Sequence, residues 1–220
     1  MQYVQIGATG VYVSRIPLGA MTFGGAGTPP WSLVGGLDEK AADELVGLAL
    51  DAGVNLIDTA DMYAAGECEE ILGRVLGARR GDVLLATKLF ARMGTGPNDL
   101  GLSRLWVTRA LEDSLRRLRT DHIDLYQIHS FDPLTPVEET LAALDDAVRQ
   151  GKVVGTEGGR DGDAGAGQAG SGPVRVGPPR PRAGRVPEGA GPSARARWCP
   201  VPTLAPGTAR AAGRAARRLC

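Results

Sequence analysis

Along the first 154 residues, short aliphatic runs alternate with stretches whose apolar residues recur every three or four positions, and this predicts strands and helices in turn. Tyr3 to Ile6 and Val11 to Val13 flank Gly7-Ala8-Thr9-Gly10, the pattern of a β-hairpin. Ile16 to Leu18 is a short strand running into the loop Gly19 to Gly25. Asp38 and Glu39 suit a helix N-terminus, with Leu45, Leu48, Ala49 and Ala52 at helical spacing before Gly53. A strand over Asn55 to Asp58 follows, then a helix over Glu67 to Leu76 with Ile71, Leu72 and Val75 inward, then a strand over Val83 to Thr87 ending at Lys88. Ser103 caps a helix carrying Val107, Leu111, Leu115 and Leu118 on one face, and Ile123 to Ile128 is an aliphatic strand closed by His129. Thr135-Pro136-Val137-Glu138 has the spacing of a capping box with proline first in the helix, which runs to about Gln150. Lys152 to Val154 opens the next strand, and there the pattern stops.

Strand, loop and helix thus repeat, and short connections make the strands parallel neighbours with right-handed crossovers. The expected class is α/β, with a regular unit over 1–154 and a different segment over 155–220. Overall 43% of residues are hydrophobic and the formal net charge is zero, but the two segments differ. Residues 1–154 carry 14 Lys and Arg against 21 Asp and Glu, whereas 155–220 carry 11 against 4. Gly, Ala, Arg and Pro dominate the second segment, with no Ile, Phe, Tyr, Met or Lys, so burial cannot offset its ordering entropy and a disordered low-complexity tail is expected. Those four residues have codons beginning with two G or C bases, so the reading is a frameshift near Val154. Translating the other two frames downstream tests it: one of them should encode strands and helices that continue the repeat, and the reading fails if neither does.

Within the tail, Gly165-Ala166-Gly167-Gln168-Ala169-Gly170 matches G-x-G-x-x-G but lacks a preceding strand, a following amphipathic helix and a partner acid. Without aromatic interleaving beyond Trp198, the tail arginines read as solvated, and Arg116, Arg117 and Arg119 read as a solvated helix end; no nucleic-acid partner is expected. Cys68, Cys199 and Cys220 are too scattered for a disulfide framework or a zinc site. With no signal-peptide pattern at MQYVQIG and no membrane-length apolar run, the expectation is a cytoplasmic chain without membrane or metal.

The chemistry is expected where the strands end. Asp58, Lys88 and His129 close three successive strands, and Tyr63 lies in the loop after the first. Taken singly, each has an ordinary reading: a loop-capping carboxylate, a snorkelling lysine, an anchored phenol, a structurally satisfied imidazole. Carboxyl ends of adjacent parallel strands share one rim, however, and the four together fit proton donation to a carbonyl oxygen. A free phenol titrates near pH ~10, so a lysine ammonium beside Tyr63 would stabilise its anion, Asp58 would hold Lys88, and His129 would orient the substrate oxygen. None of these groups supplies a hydride, so a nicotinamide cofactor is inferred. His122, ahead of its strand, is expected at the surface.

The stretches LGAMTFGG, NLIDTADMYAAGECEEILGRVLG, LLATKLF, ALEDSLRRLRTDHIDLYQIH and DPLTPVEETLAALDDAVRQGKV resemble the aldo-keto reductases from Val4 to about Val154. The resemblance implies a (β/α)₈ TIM-barrel type fold, here incomplete, with about the first four β/α units behind an N-terminal hairpin. It implies NADPH (NADP) as cofactor, a small-molecule aldehyde or ketone as substrate, Tyr63 as proton donor, Lys88 and Asp58 as its tuning pair and His129 as the orienting residue. Met21, Thr22 and Asp58 are implied near the nicotinamide ribose, with Phe131 and the loop Phe90 to Gly101 shaping the substrate pocket. The family's Ser-Asn pair, stacking aromatic and 2′-phosphate-reading basic group have no counterpart after Val154, so impaired turnover is expected. The alternative is a non-catalytic cofactor-binding or regulatory protein on the same fold, as channel-associated relatives are; a metal-dependent hydrolase would need a fuller ligand set.

Overall fold

The computed structural model describes residues 1–7, 9–157 and 175–176. Two short strands, β1 (Tyr3–Gln5) and β2 (Tyr12–Ser14), pair antiparallel as the expected hairpin. The rest alternates: β3 (Leu18–Gly19), α1 (Glu39–Asp51), β4 (Leu56–Asp58), α2 (Glu67–Leu76), β5 (Leu84–Leu89), α3 (Arg104–Leu118), β6 (Ile123–Ile128), α4 (Val137–Arg149) and β7 (Val153–Glu157). The strands β3, β4, β5, β6 and β7 pair in that order, all parallel, as expected of successive right-handed β/α units. A two-residue strand, β8 (Arg175–Val176), pairs antiparallel with β7. The fingerprint at 165–170, Trp198, Cys199 and Cys220 lie outside the described residues.

Period-2 geometry divides the strand residues between two faces. Ile57, Leu85 and Leu89 belong to the large core beneath α2 and α3, with Leu72, Leu76, Leu111 and Leu118. Leu56, Ala86 and Leu125 belong to a second cluster, closed by Val4, Ile6 and Val13 of the hairpin. Asn55 ties this plug to the sheet, its Oδ1 accepting from the Ser14 N–H at 2.7 Å and its Nδ2 donating to the Tyr12 carbonyl at 3.1 Å.

Three local expectations are corrected. Helix α1 begins at the expected acidic pair, with Asp38 as its N-cap and the carboxylate accepting from Ala41 N–H at 2.9 Å, but it buries Ala42 and Val46 while Leu45 and Leu48 stay exposed. Leucines on both sides of the helix made its apolar phase ambiguous. The capping box before α4 does not form: Pro136 stands at the N-cap, and the Thr135 hydroxyl instead donates to Asp132 at 2.7 Å. His122 is not a surface residue, because its side chain is 15% exposed and its Nδ1 contacts Asp121.

Candidate active site

Asp58 and Lys88 sit at even spacing from Leu56, Leu84 and Ala86, so the pleat carries both onto the hairpin side of the sheet at its carboxyl end. His129 stands two residues past Gln127, which pairs with Lys88, and its N–H extends the ladder by donating to the Leu89 carbonyl at 2.9 Å. Lys88 Nζ donates to Asp58 Oδ2 at 2.7 Å and to the Thr59 carbonyl at 2.8 Å. With side chains 16% and 23% exposed, this pair is shielded enough to be stronger than a surface ion pair.

Tyr63 is carried in by a tight turn over Tyr63–Gly66. Lys88 Nζ lies 5.2 Å from the centre of its ring, and the His129 ring meets it edge-on at 5.9 Å and 89°. The four residues expected at one rim are therefore together. Met21 and Thr22 reach the same rim through Gly19, which pairs with Asp58; Met21 is 40% exposed, and the Ala20 N–H donates to the Asp58 carbonyl at 2.9 Å.

The electrostatics depart from expectation at the phenol. Burial first, then the charge of Asp58, push the Tyr63 hydroxyl up to about 12. Tyr63 is therefore held firmly protonated at neutral pH. His129 is lowered from the ordinary imidazole value by burial and by Lys88, against a raising influence from Asp58, which leaves it neutral at pH 7. Asp58 Oδ1 and His129 Nδ1 are buried with no hydrogen-bond partner among the described residues. Such atoms ordinarily find one.

Several further residues pack around these four, Trp31 and Glu69 among them outside the sequence-based expectation. Trp31, from the Gly/Pro-rich stretch before α1, packs edge-on against Tyr63 at 6.0 Å. Glu67 Oε2 accepts from the Gly25 N–H at 2.8 Å and so joins the loop after β3 to the start of α2. Cys68, fully buried, donates its thiol to the Ala20 carbonyl at 3.0 Å. Glu69 is also fully buried and ion-pairs at 2.7 Å with Arg117, whose side chain is 13% exposed rather than solvated. The loop Phe90 to Gly101 closes on itself, with Gly101 N–H donating to the Phe90 carbonyl at 2.8 Å and Asp99 accepting from Gly96 N–H at 2.8 Å, while Phe131 stands 75% exposed nearby in sequence to His129. Among the described residues no cluster of three His, Cys, Asp or Glu could hold a metal ion, and no helix is long and apolar enough to cross a membrane.

Parallel strands linked by helices, with a Tyr, Lys, Asp and His gathered at their carboxyl ends, define an α/β barrel-type chain with its polar site at the strand tips. Residues 15–155 match the sequence profile of the aldo/keto reductase family, and the chain belongs to that family. It is 44% identical over 155 residues to a probable voltage-gated potassium channel subunit beta of Oryza sativa subsp. japonica, covering 69% of this chain and 44% of that protein. It is 40% identical over 155 residues to the aldo-keto reductase YhdN of Bacillus subtilis, covering 70% of this chain and 45% of that protein. The solved aldo-keto reductase AKR11C1 from Bacillus halodurans, in a holo form, superposes with a TM-score of 0.61 at 34% identity, over 71% of this chain and 49% of that one. The chain therefore spans about half the length of the relatives it matches. Its fold is the first part of the barrel, five parallel strands with the hairpin plug.

Proposed function

We propose that this rim reduces an aldehyde or ketone to an alcohol with NADPH, Tyr63 giving the proton. The observation that carries the reading is the grouping of Tyr63, Lys88, Asp58 and His129 at the carboxyl ends of the strands. A bound NADPH would supply the hydride that none of these side chains can provide. The orphaned Asp58 Oδ1 fits a ribose hydroxyl, and Met21 and Thr22 lie beside it on the same rim. Neutral His129 can donate a ring N–H to the substrate oxygen and aim it at the phenol.

Tyr63, held protonated, keeps its proton in the resting site and releases it only to a strongly basic oxygen, which is what an alkoxide developing on the carbonyl becomes. Lys88 then faces the tyrosinate across its ring, and its positive charge supports the anion. In this reading Phe131 and the closed loop 90–101 flank the entering substrate. For this chain by itself weak turnover is expected, because five strands line only one side of the rim.

A second reading is favoured by the 44% identity to a probable channel beta subunit: a cofactor-binding, regulatory role on the same fold. Titrating the full chain with NADPH by fluorescence, and following NADPH oxidation with a panel of aldehydes and ketones, separates the two. Slow turnover abolished in Tyr63→Phe supports the reductase, saturable binding without turnover supports the regulatory role, and no binding to a folded chain removes both.

A further inference from the structure

The turn that carries Tyr63 lies in a backbone region that side chains adopt only when their surroundings hold them there. Ala64 and Ala65 have φ of 50° and 55°, and Gly66 has φ of 98°. Three consecutive left-handed residues directly after the phenol need a buttress, and it comes from α3. A β-carbon on Gly66 would meet Arg117 Cδ at 3.0 Å and Nε at 3.3 Å, so the arginine stem already lies against the turn.

The stem is fixed in turn. Arg117 Nε donates to Glu69 Oε2 at 2.7 Å and its Nη2 to the Ser114 hydroxyl at 3.3 Å, while the other Glu69 oxygen accepts from the Thr87 hydroxyl at 2.6 Å. Thr87 is the residue before Lys88. One chain of contacts therefore runs from the strand bearing Lys88, through α2 and α3, to the turn bearing Tyr63. Asp61 belongs to the same buried group and bonds through its N–H to the Lys88 carbonyl at 3.1 Å, although neither carboxyl oxygen has a partner among the described residues. One guanidinium serves two carboxyl groups, and its direct bond goes to Glu69.

We propose that Arg117, locked by Glu69, is a positioning residue for Tyr63: it braces Gly66 and holds the left-handed turn that sets the phenol against Lys88 and His129. Its consequence for turnover rests on the reductase reading; the placement itself does not. Arg117 and Glu69 touch none of the reacting groups, so their effect passes through the turn.

The test follows the Tyr63 titration in the full chain by isotope-labelled tyrosine NMR, with the signal assigned through Tyr63→Phe and folding followed by circular dichroism. In Arg117→Met the phenol becomes more exposed, and its titration falls from about 12 toward the ordinary 10.0. Arg117→Lys, which keeps a cation for Glu69 and a stem for Gly66, stays nearer the parent. The charges acting on Tyr63 are Asp58, Cys68 and Asp61, and Asp61 in turn responds to Arg117 and Glu69, so each variant is read in an Asp61→Asn background, where a shift reports placement rather than a field relayed through Asp61. A folded Arg117→Met with an unmoved Tyr63 titration overturns the proposal. Should Arg117→Met not fold, Glu69→Gln is read in the same way: a fall supports the brace and an unchanged value overturns it. Undiminished turnover in Tyr63→Phe would instead remove the proton-donor role while leaving the brace intact, so the two failures are distinct.

Discussion

Gly73 sits where α2 crosses α3 more closely than a side chain would allow, and Gly73→Ala puts a methyl group into that crossing. A β-carbon there would lie 2.4 Å from the Arg117 carbonyl oxygen and 2.9 Å from Leu118 Cα, against an ordinary contact that begins at 3.4 Å. The atoms it meets are backbone and cannot rotate away, so the two helices must part by the 1.0 Å between 2.4 and 3.4 Å. Two effects oppose one another. Alanine favours a helix interior over glycine by about 1 kcal/mol. Overpacking of this kind costs about 1–3 kcal/mol, and dispersion contacts of the buried Leu72, Leu76, Leu115 and Leu118 loosen as the helices separate. Because the opposing atoms are backbone, the overpacking cost belongs in the upper part of that range, about 2–3 kcal/mol, and it wins by about 1–2 kcal/mol, equivalent to a Tm lower by about 2–8 °C. Urea unfolding followed by far-ultraviolet circular dichroism should show a lower midpoint with the same slope. A variant as stable as the parent, or more stable, would refute the reasoning: it would mean that the helices are not in backbone contact there and that helix propensity alone decides. Because the same crossing sets Arg117 against Gly66, a folded Gly73→Ala should also lower the Tyr63 titration.

Two further predictions concern buried ionisable groups. Burial and the neighbouring Glu69 push Asp61 up from 3.8 to about 7, so the folded chain keeps a proton that the unfolded chain has lost, and stability falls as pH rises across that interval before levelling off above it. Asp61→Asn removes this slope: urea midpoints at about pH 5 and about pH 8 should differ less than in the parent, and equal differences in the two proteins would count against the assignment. In Asp58→Asn, His129 loses the carboxylate that raises it and faces Lys88 uncompensated, so its titration should drop further below 6.5; an NMR titration showing it unmoved or raised would contradict the geometry.

Much of this fold is legible in the sequence because its strands are apolar runs that stop at a titratable residue. Ile123–Ile128 is recovered to the residue, and Asp58, Lys88 and His129 meet because parallel register and period-2 geometry leave them nowhere else to go. What escapes is charge in the helix layer. Glu69 shares a face with Leu72, Gly73 and Leu76, and Arg117 shares one with Ala110 and Ser114; a carboxylate and a guanidinium on two apolar stripes is the signal that would have paired them. Read by position alone, Arg117 looks like one of several cations suited to a helix C-terminus. Trp31 escapes for another reason: the loop Gly24 to Gly36 has no periodicity, and only tertiary packing brings its indole to Tyr63. The upward shift of Tyr63 also needs coordinates, since it comes first from how deeply the fold buries the phenol and then from the nearness of Asp58.

The most direct test of the central claim is NADPH oxidation by the full chain with an aldehyde substrate, run beside Tyr63→Phe with cofactor binding measured on both. The account predicts that both proteins bind NADPH alike and that only the parent turns over, slowly. Equal turnover in the two, or binding lost with the phenol hydroxyl, would contradict a site in which Tyr63 gives the proton while Asp58 and the loop after β3 hold the cofactor.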